Sequence, residues 1–274
     1  MKIAFATARS SPGVTTAVLA CASVWPGRVL LVEASEDGGA LAARFGLPVE
    51  PGLTTLAAAS RHATNGDGST GMLAEHLQAL PGTDRIVALV GPASLEPAQA
   101  LLRTAAGRLA GLLDQADRDV LIDLGRLPAA PLAGPLLASA DRLLLVVRPR
   151  VEELTALAHR LAHLSGLGPA PEVLLVGERP YGPSEVADTL GVTVAGVLAD
   201  DADAADALGA VGASRRLARS PLLRTAGGIV DGLALSGPAR ADLAGAARDD
   251  DAGPVNAQQV TARRRRLLSG RSRS

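Results

Sequence analysis

Aromatic side chains make up only 1% of this 274-residue chain. That scarcity removes the stacking platforms on which single-stranded nucleic acids are bound. Cysteine occurs once, as Cys21, so a disulfide framework is excluded and a cytoplasmic setting is the expectation. Nowhere do 18 apolar residues run consecutively, so no transmembrane helix is expected. Near the N-terminus a single lysine and a Gly/Ser-rich turn precede any long apolar run, which is a poor match to a secretory signal. Net charge is −1, so the body exerts no general pull on DNA or membranes. Lysine is almost missing too: Lys2 is the only one, and the other basic residues are arginines.

What is present is a globular composition, 47% hydrophobic and 20% charged, with enough length for one large α/β domain or two small ones. Short, nearly continuous apolar runs recur: KIAFA (2–6), RVLLVE (28–33), RIVALV (85–90), DVLIDL (119–124), RLLLVV (142–147), EVLLVG (172–177) and VTVAGVL (192–198). Such runs suit strands buried on both faces of a parallel sheet. Helix-like segments fall between them, at 14–24, 52–62, 70–79, 95–115, 151–165, 184–190 and 202–208. The βαβα rhythm predicts a doubly wound, mostly parallel α/β domain, with domain limits of 1–245. Residues 246–274 change character, with an acidic cluster, a Gly-Pro break and six arginines in the last twelve residues. They are expected to form a disordered, Arg-rich tail.

The stretch ARSSPGVTTAV (8–18) lies between the first apolar run and an apolar helix. A phosphate-binding loop works because backbone N–H groups at a helix N-terminus face an anion. Glycine permits close approach, a Ser or Thr hydroxyl ligates Mg²⁺, and a lysine reaches the terminal phosphates. Gly13, Thr15 and Thr16 stand where that chemistry needs them, while Ser10, Ser11 and Pro12 replace a glycine-rich approach.

The arrangement resembles the MinD/ParA family of deviant P-loop ATPases. The family loop Lys-Gly-Gly-x-Gly-Lys-Thr-Thr falls on Arg9-Ser10-Ser11-Pro12-Gly13-Val14-Thr15-Thr16. LLVEASEDGGALAARFGL (30–47) is similar to the family's second strand and Asp-x-Asp segment. VLIDLG (120–125) resembles its Walker B strand, and GVLADD (196–201) its late segment near the adenine. The resemblance implies a P-loop NTPase-like fold, ATP or ADP with Mg²⁺ as ligand, and nucleotide contacts from residues 10–16 and from Arg179. It also implies Thr15 and Asp123 on the metal side.

Several family positions have changed. Val14 replaces the phosphate lysine, and no other lysine is available to substitute. Arg9 stands at the signature lysine, which in the family reaches across a dimer. Glu33 and Ser35 occupy the two acidic positions, the second of which is implicated in placing the attacking water. A charge-assisted hydrogen bond contributes about 1.5–3 kcal/mol, so losing the lysine weakens nucleotide binding about ten- to hundredfold. Hydrolysis suffers more, because phosphoryl transfer depends on positioned charge. The expectation is a pseudo-ATPase that positions or regulates cellular machinery, in chromosome partitioning or in localising a pilus or secretion apparatus. The alternative is a working ATPase in which Arg9 replaces the lysine. The expected partners are a protein or a second copy of the chain, with DNA or an acidic surface met by the Arg-rich tail.

Other residues weigh less. Arg148 and Arg150 follow a strand, either facing the ligand crevice or lying in a solvated loop. The segment GERPYGPSEV (177–186) reads as a turn, with Arg179 carried over only by resemblance. His159 and His163 share a helix face without a further ligand, and Cys21 reads as core.

Overall fold

A computed structural model describes residues 1–9, 12–61, 69–209 and 215–235. The expected tail at 246–274, the end of the expected domain at 245, and Ser10 and Ser11 lie outside the described residues.

The chain begins with β1 (Lys2–Thr7), α1 (Val14–Val24), β2 (Val29–Glu33), α2 (Leu41–Phe45), α3 (Leu53–Ala59) and α4 (Ser69–Glu75). It continues through β3 (Gln78–Ala79), β4 (Ile86–Leu89), α5 (Leu95–Leu113), β5 (Asp119–Arg126), α6 (Gly134–Ala138), β6 (Arg142–Val147) and α7 (Val151–Leu164). The last elements are β7 (Pro171–Val176), α8 (Pro183–Leu190), β8 (Thr193–Leu198), α9 (Ala202–Ala207), α10 (Arg215–Ala218) and α11 (Pro221–Leu235). The strands form one sheet in the order β3-β4-β2-β5-β1-β6-β7-β8. All neighbours are parallel except β3, which pairs antiparallel with β4.

The apolar runs become strands because both sheet faces are covered. Ile3, Phe5, Leu31, Leu121, Leu144 and Leu174 enter one core cluster, with Val18 of α1 and Ala226 and Ile229 of α11. Their strand neighbours Ala4, Val32, Ile122, Leu145 and Val173 enter the other, with Leu102 and Leu109 of α5 and Leu157 of α7. Cys21 is fully buried in α1, and burial pushes its thiol up to about 12, which makes it a core side chain rather than a nucleophile. Among the described residues no helix is long and apolar enough to cross a membrane.

The seven expected strands are all present. The segment expected as one helix at 70–79 instead ends at Glu75, and Gln78 and Ala79 pair with Ala88 and Val87 as an edge strand. Two residues are too few to show a strand period. Helices α2, α6, α10 and α11 add to the expected set.

The sheet order places β1 between β5 and β6, with the chain crossing outward from it in both directions. This is the topological switch point of an open α/β sheet, where a crevice opens beyond the carboxyl ends of the strands.

Candidate functional site

A cavity of about 700 Å³ opens at that crevice, a size suited to a small-molecule ligand. Its wall comes from chain leaving the carboxyl ends of several strands. Pro12 to Ala17 follow β1, Ser35 and Asp37 follow β2, and Gly125 and Arg126 come from the end of β5. Arg148 follows β6, and Ala199 to Ala202 lead from β8 into α9.

At the entry to α1, Gly13 is the N-cap with φ 96°, a left-handed conformation that glycine adopts without strain. It carries no side chain to cap the helix, and the first turn of α1 contains no acidic residue. The leading N–H groups of α1 therefore meet the cavity with no acidic side chain in the helix's own first turn.

Thr15 follows two residues later, and its Oγ1 donates to Asp123 Oδ2 at 2.6 Å. Asp123 Oδ1 accepts from Gly125 N at 2.9 Å. The register that pairs Phe5 of β1 with Asp123 of β5 brings these distant segments together. Asp123 is 2% exposed, and burial raises its pKa above the ordinary carboxylate value. The Thr15 hydroxyl, the Gly125 N–H and the charge of Arg44 oppose that rise.

A buried carboxylate beside a hydroxyl, at the foot of an open helix N-terminus, is a donor set that hard divalent cations accept. The residues present thus fit a Mg-nucleotide, and Thr15 and Asp123 are the side chains that would hold the metal. Among the described residues no group of three or more His, Cys, Asp or Glu side chains forms a separate metal cluster. His163 Nδ1 instead lies 2.9 Å from the backbone oxygen of His159.

The remaining sequence-derived residues separate clearly. Val14 is 7% exposed and packs into the core beneath α1 as well as lining the cavity. Its branched apolar side chain brings core contact and no charge to the cavity wall. Thr16 and Ser35 line the cavity, and Ser35 Oγ accepts from Asp37 N at 3.3 Å. A Cβ on Gly125 would sit 2.5 Å from that Oγ, so Ser35 and the end of β5 approach closely. Arg9 is exposed and borders a different depression, with Glu36, Arg126 and Arg160. Arg179 is also exposed and does not line the cavity.

Two features lay outside the sequence reading. Glu33, at the first acidic position, turns away from the cavity. Its Oε1 accepts from Ala40 N (2.6 Å) and Leu41 N (2.9 Å), and its Oε2 from Gly91 N (3.1 Å). It fixes the loop before α2 to the end of β4. The second feature is Arg44, a cavity residue on α2. Its signal was a short helical pattern, Leu41 to Phe45, stopped by Gly46 with φ 63°.

No protein-family model matches the sequence, and no curated protein matches it. Solved structures do. The ParA family ATPase from Chlorobium tepidum TLS matches with a TM-score of 0.67 at 17% identity, covering 84% of this chain and 96% of that one. This is the MinD/ParA fold. The septum site-determining protein MinD of Pyrococcus horikoshii OT3, complexed with Mg-ADP, superposes at TM-score 0.63 and 17% identity over 91% of this chain and 99% of its own. Cyanothece McdA, in an ATP complex, gives TM-score 0.63 and 16% identity over 85% and 96%. The MinD/ParA fold accounts for the sheet order, for α1 following β1, and for the position of the cavity at its mouth.

Proposed function

We propose that this chain is a Mg-nucleotide-binding positioning or regulatory protein of MinD/ParA type that does not turn its nucleotide over efficiently. The observation that carries the reading is a divided site. Thr15 and Asp123 keep their 2.6 Å contact beside the open N-terminus of α1, while the lysine position has become buried Val14. Binding groups are present, and the groups that stabilise transferring charge are reduced.

In this reading Gly13 and the first amides of α1 donate to the phosphate oxygens. Thr15 and Asp123 hold Mg²⁺, which when bound neutralises phosphate charge. Ser35 lacks the carboxylate that would orient water, so the bound triphosphate persists. A lasting bound state suits a component that docks a partner or localises machinery, in chromosome partitioning or at a pilus or secretion apparatus. The outward position of Arg9 supports contact with a second copy of the chain. The Arg-rich tail is available for DNA or an acidic surface.

Equilibrium dialysis of ADP in Mg²⁺ and in EDTA tests the site. Mg²⁺ is expected to strengthen binding by at least about tenfold, the value of one charge-assisted contact. Thr15→Ala and Asp123→Asn should each remove most of that gain. Equal binding in the two buffers would contradict the assignment of Thr15 and Asp123.

A further inference from the structure

We infer that Arg44 supplies the phosphate-reading cation that the loop itself has lost, so that the charge reaches the cavity from α2 rather than from α1. The inference rests on the nucleotide-binding reading above. Among the described residues, Arg44 Nη1 is the buried side-chain polar atom that has no hydrogen-bond partner. A buried guanidinium N–H without an acceptor is costly. Other atoms of the same side chain line the cavity wall, so a small rotation of the guanidinium would bring Nη1 to an anionic ligand that provides the acceptor.

Asp200 and Asp206 line the same cavity, and no hydrogen bond joins either carboxylate to Arg44; three further acidic groups are held elsewhere. Asp123 accepts from Thr15 and Gly125, Asp37 pairs with Arg126 at 3.1 Å, and Asp201 caps α9 through Ala204 N at 3.1 Å. Arg126, the cation paired with Asp37, is mostly exposed. Arg44 is instead anchored. Leu41 and Phe45 on the same short helix are buried, and a Cβ on Gly209 would lie 3.7 Å from the Arg44 Cβ and Cδ, so the chain after α9 packs along the stem.

Arg44 lines the same cavity as Gly13, Thr15 and Gly125. Its planar fork matches two phosphate oxygens at once and stays protonated at any working pH. The ligand class that fits is a nucleoside di- or triphosphate, whose phosphate oxygens the α1 amides and Arg44 would hold while Thr15 and Asp123 would hold its metal. A guanidinium on a neighbouring helix can hold phosphate without following the transferring group, so binding and turnover are separated.

Calorimetric titration of Mg-ADP into the full chain tests this, using the native protein, Arg44→Ala, Val14→Lys and the double variant, with melting curves taken without nucleotide. Arg44→Ala is expected to weaken binding about ten- to hundredfold, and Val14→Lys in the same chain to recover it. If Arg44→Ala melts early, Arg44→Gln keeps the stem and polar donors without the charge and carries the same expectation. Binding by Arg44→Ala or Arg44→Gln within twofold of native would overturn the role of Arg44 and leave the nucleotide site standing. Binding by Val14→Lys but not by the native chain would also overturn it, since Arg44 would then not suffice. No binding by either would overturn the nucleotide reading, and this inference with it.

Discussion

Glu33→Ala is expected to lower the unfolding free energy by about 4 kcal/mol. The carboxylate accepts three backbone N–H groups, those of Ala40, Leu41 and Gly91, and the side chain is 2% exposed. Each buried donor left without an acceptor costs about 1–3 kcal/mol, and water entering the space recovers part of the sum. Urea unfolding followed by fluorescence of Trp25, the single tryptophan and itself 2% exposed, measures the loss directly. A change below about 1 kcal/mol would mean that these donors find other partners.

The effect carries a pH signature. Burial raises the Glu33 pKa, and the neighbouring Asp123 charge adds to the rise, against the three N–H groups. The native state therefore holds its proton to higher pH than the unfolded chain does. Between the ordinary glutamate value and the raised native one, the native state binds more protons, so stability falls as pH rises. The margin of the native protein over Glu33→Ala should accordingly narrow as pH rises through that window. A margin that widened would reverse the sign of the shift.

The second large effect concerns the two changed positions of the loop face. Val14→Lys alone is expected to tighten Mg-ATP binding about ten- to hundredfold while leaving phosphate release near background. The lysine would restore charge, but Ser35 would still offer no carboxylate to a water. Val14→Lys with Ser35→Asp should raise steady-state phosphate release by at least about a hundredfold over the native chain, the scale of positioned general-base and electrostatic contributions. Equal turnover by the native chain and the double variant would show that the departures at these positions do not control hydrolysis.

The seven parallel strands were legible because a strand covered on both faces must be apolar at successive positions, as in LLLVV (143–147). The eighth strand has two residues and no period to read. Helix α11 was readable in principle, since Leu222, Ala226, Ile229, Val230 and Leu233 follow helical spacing. Gly227, Gly228 and Gly232 lower its helical propensity and obscured it. It forms through tertiary contact with α1 and β8, where Gly196 lets Ile229 approach the strand.

Within the cavity region, the contact between Thr15 and Asp123, two residues that motif order singled out, follows from the pairing of β1 with β5. Arg44 was hidden because its role depends on α2 and the chain after α9 meeting at one wall, a juxtaposition that no local pattern encodes. The inward turn of Glu33 was hidden for the same reason. It needs the bare backbones of Gly39 and Gly91 beside it, where a Cβ would collide with Glu33.

The most direct measurement is to incubate the purified protein with Mg-ATP for an hour, separate it rapidly from free nucleotide, and identify chromatographically what it retains. A site that binds through Thr15, Asp123 and the α1 amides but lacks the groups for transfer should retain intact ATP. Retained ADP would contradict the loss of turnover, and a protein stripped of nucleotide would contradict the binding site itself.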